Sequence, residues 1–325
     1  MSNRLRTSRV RVVAAVAGAA LVAALAVVGT AGARSGASCG TVTLNEQAWA
    51  GSTANTYVAK YVLEKFLGCK VKVTQITEIP VFEAMAKGRV DAVLEDWNHV
   101  DQYKQYVQKQ KSVVLVRSNG LIGHIGWFIP RYLLEQYPQF KTWKGLKGKE
   151  SVFKSPESGS QGMFLGGDPS YVQKDKQLIQ LLGLNFKHVT VGAEPAEVAR
   201  FTQLIKQHKP VIFYWWTPQY LNAQLDLVEV KLPARFDGCA DDASAGGDLA
   251  KYKCAYAADP LNKLFSRKFA TSGSPAFPVL KRWKWSNDDQ NLVAKWIAGD
   301  HMKPDKAAEK WVKANMAKVN VWLGK

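Results

Sequence analysis

Between Thr41 and Leu94 three strand-length apolar runs alternate with two helix-period segments, and this alternation constrains the fold more than any other feature. The strands are Thr41 to Leu44, Val71 to Ile76 and Val90 to Leu94. Ala59, Val62, Leu63 and Phe66 recur at helical spacing between the first two, with Ser52 as the expected cap and Gly68 as the stop. Phe82 to Lys87 predicts a second, shorter helix ended by Gly88. Such alternation is the mark of βαβ units, because a parallel neighbour can pair only after a helix has carried the chain back. A second α/β unit follows. Asp168 and Pro169 predict a helix running to Gly183, Pro195 opens another, and Pro210 introduces the strand Val211 to Tyr214. Between Ser112 and Phe128, extended segments broken by Asn119, Gly120, Gly123 and Gly126 suit a crossing between two domains. The expected order is a leader (1–38), a first lobe (39–117), a second lobe (118–214) and a return to the first lobe (215–325). The return carries a last apolar stripe of Val312, Met316, Val319 and Leu323 that is expected to dock on the first lobe. Two crossings make a hinge.

The leader has the form of a secretory signal. Arg4, Arg6, Arg9 and Arg11 precede an apolar stretch from Val12 to Val28, and Ala31, Gly32, Ala33 supply small residues for cleavage. A retained N-terminal anchor is the alternative. In an exported chain, the four cysteines are expected to form bridges. Cys39 and Cys69 stand just before the first and second strands, which start at the same edge of a parallel sheet, so their sulfurs can meet. Cys239 and Cys254 then close a Gly/Ala/Asp-rich excursion that nothing else in the sequence holds. The competing assignment makes Cys39 a lipidated first residue, but Gly36, Ala37, Ser38 lack the leucine usual before such a cysteine. Formal charge is +17, which draws the chain toward polyanions such as wall polymers or an anionic membrane face. The lysines are scattered instead of blocked, so a solvated surface is expected and no nucleic-acid partner.

The strand from Val211 ends in Tyr214, Trp215, Trp216, Thr217, Pro218, and the strand from Val90 ends in Glu95, Asp96, Trp97. Indoles at strand ends suggest walls of a cleft, and the face of an indole attracts a quaternary ammonium through its quadrupole. Enzyme chemistry finds no support. The five histidines, His99, His124, His188, His208 and His301, are dispersed, with none at metal-ligand spacing. Ser158, Gly159, Ser160 is out of register with a nucleophile elbow. No catalytic residue, metal or cofactor is expected. The turn Ser155 to Gly162 can instead present successive backbone N–H groups as an anion-binding nest, with a plain glycine turn as the alternative. Trp49, Ala50, Gly51, Ser52, Thr53 is a similar strand-to-helix junction, the kind of place where ligands bind in α/β sheets.

On the stretches LEDW (Leu94 to Trp97), GLIGHIGWFIP (Gly120 to Pro130), Ser155 to Gly162, PVIFYWWTP (Pro210 to Pro218) and DLVEVKLP (Asp226 to Pro233), the chain resembles substrate-binding proteins of the glycine betaine, proline betaine and choline ABC importers. The resemblance implies an α/β, two-lobed periplasmic-binding-protein fold of type II, with two parallel-type sheets and a two-strand hinge that closes on ligand. It implies a monomer that carries a quaternary-ammonium solute to a permease in the membrane, from the periplasm or cell surface. By the same resemblance Trp97 and Trp216 match two positions of an aromatic cage, and Gly159 and Ser160 match the backbone that holds a carboxylate. Ser158 stands where a relative of this type has a third tryptophan, so Trp49, Trp127 or Trp215 is left to complete the cage. Choline is the nearest competing ligand, with Glu95 or Asp96 facing the cation. A wall- or polyanion-binding protein is the reading from a different class, and an exported hydrolase the third.

Overall fold

The computed structural model describes residues 39–325, and the leader lies outside them. The first sheet contains β1 (Thr41–Glu46), β2 (Lys70–Gln75), β3 (Ala92–Asp96), β4 (Val113–Val116) and, from the far end of the chain, β11 (Asn262–Ser266). Its order is β2-β1-β3-β11-β4. Helix α1 (Ala50–Leu67) joins β1 to β2, burying Ala59, Val62 and Leu63 as the spacing predicts, and α2 (Glu78–Ala86) joins β2 to β3. Gly68 ends α1 in the left-handed region at φ +65°, and its N–H donates to Leu63 O. Ser52 does not cap the helix: it sits inside the first turn, and its hydroxyl accepts from Gln47 N–H at 2.8 Å. β1 and β2 start level, Thr41 opposite Lys70, and this brings Cys39 to Cys69 as a disulfide with Cα atoms 4.8 Å apart. The Cys39 sulfur is thereby engaged, as the paired assignment requires.

The second sheet runs β10-β5-β8-β6-β7, from β5 (Ile122–Pro130), β6 (Gly162–Gly166), β7 (Phe186–Thr190), β8 (Ile212–Thr217) and β10 (Ala258–Pro260). A short β9 (Leu227–Glu229) pairs with β5 outside this path. Both sheets are mixed, not purely parallel. β1, β2 and β3 are parallel, as are β6, β7 and β8, but β11 and β5 run against their neighbours. The reason is topological. β1, β3, β6 and β8 all end at the cleft, and a strand that enters its sheet from the other lobe must start there and run the opposite way.

The chain changes sheets between β4 and β5 and again between β10 and β11. Residues 215–260, expected to rejoin the first lobe, therefore supply β9, β10 and the end of β8 to the second sheet; aromatic strand ends mark a cleft but not the crossing. The two crossings are laced together. Asn119 N–H donates to Leu261 O at 2.9 Å, and Leu261 N–H donates to Leu121 O at 3.0 Å. The Asn119 side chain adds bonds to Leu94 O and from Leu121 N–H, both at 2.9 Å. Gly120 is required here, since a Cβ would stand 2.3 Å from Trp285 O.

Two further departures shape the cleft. The expected helix from Asp168 exists only over Asp175–Leu182. Asp168 Oδ1 accepts from Ser170 N–H (2.8 Å) and Ser170 Oγ–H (2.7 Å), a local turn that competes with helix and frees Tyr171 and Val172 to enter the cleft. The Cys239–Cys254 loop does form its disulfide, but it is also held by Lys174. This fully buried ammonium donates to Ala240 O (2.8 Å) and Asp241 Oδ1 (2.9 Å) and lies 4.7 Å from the Tyr256 ring centre. At the C-terminus the apolar stripe is split into helices Pro304–Ala314 and Met316–Leu323, and the former packs on α1. Among the described residues no helix is long and apolar enough to cross a membrane.

Candidate ligand site between the lobes

Where the strand ends of the two sheets face each other, Trp49, Glu78 and Trp97 of the first lobe and Tyr171, Val172, Tyr214 and Trp216 of the second line a small cavity of about 10 Å³, with the rings nearly closed on one another. Trp49 precedes α1, Trp97 follows β3, Tyr171 belongs to the loop after β6, and Tyr214 and Trp216 project from the end of β8. Residues 214 and 216 share one face of their strand, as the two-residue period demands. Tyr171 meets Trp49 edge to face with centres 5.7 Å apart, and Trp216 likewise at 6.0 Å. Gly167 permits this closeness: a Cβ there would lie 2.9 Å from the Tyr171 ring and 3.2 Å from the Tyr214 ring.

Glu95 fixes the first-lobe walls from behind. Its Oε1 accepts from the Nε1–H of both Trp49 (2.9 Å) and Trp97 (3.0 Å), and its Oε2 accepts from Asn55 Nδ2–H (2.7 Å). Burial raises this acid to about 7, against the hydrogen bonds from Trp49, Trp97, Gln290 and Asn55 that favour its charge. Both indoles are thus tethered by their edges on the wall of the cavity.

Glu78 is the polar group on the cavity wall. It is buried, its Oε1 has no hydrogen-bond partner, and burial pushes it up to about 8, with nearby Asp96 and Glu95 adding to the rise and His99 opposing it. His99 faces two acceptors, Asp96 Oδ1 from Nδ1 (3.0 Å) and Ser170 O from Nε2 (3.3 Å), so its ring carries both protons. Burial works against this charge, but the carboxylate of Asp96, bonded at Nδ1, holds His99 above the usual imidazole range, and Glu78 adds to this once it ionises. Asp96 is occupied by His99 and by the Tyr103 hydroxyl and does not line the cavity. Trp97 and Val172 also border a wider, more charged opening of about 350 Å³ toward the Cys239–Cys254 loop.

Of the sequence-derived candidates, Trp49, Trp97 and Trp216 are brought together. Trp127 is not: it is fully buried on Phe164, with its Nε1–H on Asp175 Oδ1 at 2.7 Å. Trp215 points to the opposite face of β8, against Phe201. Ser158, Gly159 and Ser160 lie before β6, at the sheet edge remote from the cleft, because the strand runs from Gly162 to Gly166 between them and Tyr171. There Ser158 Oγ accepts from Ser155 N–H (3.0 Å) and donates to Gln161 O (2.7 Å), closing the turn on itself. The reading missed Glu78, Tyr171, Val172 and Tyr214. The glycine pair Gly166, Gly167 at a strand end, followed by Asp168 and Pro169, was the available signal for the Tyr171 loop.

Residues 40–314 match the family described as the substrate binding domain of ABC-type glycine betaine transport systems. The chain belongs to this family. It is a family of extracytoplasmic solute-binding domains, not of enzymes. A curated relative, the trimethylamine N-oxide-binding protein of Pelagibacter ubique (strain HTCC1062), is 22% identical over 286 residues, 84% of this chain and 87% of that protein. Among solved structures, lactococcal OpuAC in its closed conformation with glycine betaine is 20% identical with a TM-score of 0.65, covering 87% of this chain and 99% of that one. The glycine betaine/L-proline-binding ProX of Borrelia burgdorferi gives 20%, 0.69, 87% and 96% by the same measures. A choline-binding protein in complex with choline gives 21%, 0.69, 88% and 92%. The similarity establishes the two-lobed fold.

Proposed function

We propose that this ABC-transport binding domain captures a small solute with a methylated ammonium head among the aromatic rings between its lobes, which part to admit it, and delivers it to a membrane permease. The observation that carries the reading is the wall itself: three indoles and two phenol rings surround the cavity, a buried acid lines it, and no lysine or arginine does. Aromatic faces attract a cation that cannot donate hydrogen bonds, and desolvation strengthens the attraction. The solutes named for the relatives, glycine betaine, choline and trimethylamine N-oxide, share a trimethylated nitrogen. The leader supports export, and the chain is taken to act as a monomer.

Glu78 decides how the rest of the solute is met. Holding its proton up to about pH 8, it can donate to a carboxylate or N-oxide oxygen; ionised, it repels such an oxygen and suits choline. A strong betaine preference from the Ser155–Gly162 turn has no geometric source at the cavity. Calorimetry of the full chain at pH 6.5 and pH 9 tests the reading, with glycine betaine, trimethylamine N-oxide, choline and 3,3-dimethylbutanol, the uncharged isostere of choline. Choline should bind at least tenfold more tightly than the isostere, as a desolvated cation–π contact of about 2 kcal/mol requires. The zwitterions should lose affinity at pH 9. Equal binding of choline and its isostere would reject the ammonium assignment.

A further inference from the structure

Several polar contacts cross the cleft beside the cavity, and they converge on the Tyr171 loop and the helix Glu194–Lys206. His99 Nε2–H, from the first lobe, reaches Ser170 O at 3.3 Å. The Tyr171 hydroxyl accepts from Glu194 N–H (3.2 Å) and donates to Ala48 O (3.4 Å) in the turn before α1. The Glu194 carboxylate then receives Ala50 N–H, with both oxygens at 3.3 Å, at the N-terminus of α1. Glu194 is the first residue of its own helix in the second lobe, so its carboxylate reaches across to the N-terminus of α1 in the first.

We propose that Tyr171 and Glu194 form a latch that couples occupancy of the cavity to closure of the lobes. Tyr171 does both jobs at once: its ring is a wall of the cavity, and its hydroxyl is the middle atom of the chain Glu194 N–H, Tyr171 Oη, Ala48 O. A solute that holds the ring in place therefore also holds the hydroxyl in bonding position across the cleft. Separating the lobes breaks the Ala48 and Ala50 contacts and leaves the aromatic ring on the second lobe. Tyr171 and Glu194 are thus positioning residues for retention of the solute, a role that rests on the cavity being the solute site.

Three variants of the full chain test this: Tyr171→Phe, which keeps the ring, Glu194→Ala, which removes the acceptor, and Glu194→Gln, whose amide oxygen can still accept from Ala50 N–H. Stopped-flow release of choline or glycine betaine reads retention, and small-angle scattering reads lobe closure with and without solute. Tyr171→Phe and Glu194→Ala should each speed release about two- to tenfold, the range for one net hydrogen bond, with association unchanged. Both should enlarge the radius of gyration of the solute-free chain, and Glu194→Gln should stay close to the wild type in release and in dimensions. If the wild-type chain binds solute but the variants match it in release and in dimensions, the latch is wrong and the solute assignment stands. If no methylated ammonium binds yet Tyr171→Phe still opens the solute-free chain, the solute assignment fails and the latch survives.

Discussion

Two groups of tryptophans in this molecule meet opposite ends. At the cleft, Trp49 and Trp97 are tied by their ring edges to one carboxylate, and with Trp216 they line the small cavity between the lobes. In the C-terminal helical region, Trp283, Trp285, Trp311 and Trp322 use their faces on one another, with Trp283 stacked on Trp322 at 4.1 Å and Trp285 edge-on to Trp311 at 5.3 Å. There the Nε1–H groups of Trp283, Trp285 and Trp311 are buried without a partner. The difference is what the ring faces meet, since Trp322 also bonds its edge, to Lys284 O at 3.0 Å. At the cleft the faces line the cavity, whereas in the C-terminal region they pack on one another and gain their stability from close packing.

This contrast should separate stability from binding. The largest effect is expected for Trp311→Ala, which empties a fully buried site and should cost about 3 to 5 kcal/mol of folding stability, read by denaturant unfolding. Trp97→Ala or Trp216→Ala should weaken binding of a methylated ammonium by about 1 to 2 kcal/mol per ring, roughly five- to thirtyfold, in calorimetry, while the melt stays cooperative. If Trp97→Ala lost its cooperative melt and kept its affinity, the two groups would not differ in kind. Glu95→Ala sharpens the comparison, because it leaves every cavity wall in place and removes only the tether. We expect about tenfold weaker binding, the scale of one charge-assisted hydrogen bond; unchanged affinity would show that anchored edges are irrelevant.

A separate effect is on the pH dependence of stability. Burial raises Glu78 to about 8, and Glu95 and Glu194 to about 7, from a usual 4.5. The folded chain holds these protons more firmly than the unfolded chain. Their contribution to stability is therefore complete below about pH 4.5 and is lost as pH rises through 7 and 8. Melting temperature should decline across this window, and Glu78→Gln should make the decline shallower. A rise in melting temperature over the same window in the wild type alone would contradict the buried-acid assignments.

The alternation from Thr41 to Leu94 made the first sheet legible, since period and punctuation are local properties. The same held for Cys39 with Cys69, because level strand starts follow from parallel pairing. The antiparallel entries of β5 and β11 were not legible: they depend on which lobe the chain arrives from, which no local pattern records. Trp97 and Trp216 could be found because they terminate strands that end at the cleft. Trp127 and Trp215 could not be told from them by type, since one residue along β8 reverses the face, and Trp127 finds its partner, Asp175, only through tertiary contact. Ser158 to Ser160 misled because a glycine-rich turn has the same composition at either end of a strand. Glu78, an acid in the first turn of α2, carried no sign of its burial in the cleft.

The most direct test of the central claim is a crystal structure of the chain with whichever methylated ammonium solute binds best in calorimetry. The nitrogen should lie within about 6 Å of the ring centres of Trp49, Trp97 and Trp216, the reach of a cation–π contact, with any solute oxygen turned toward Glu78. A solute found instead in the wider opening beside the Cys239–Cys254 loop, or at the turn from Ser155 to Gly162, would contradict it.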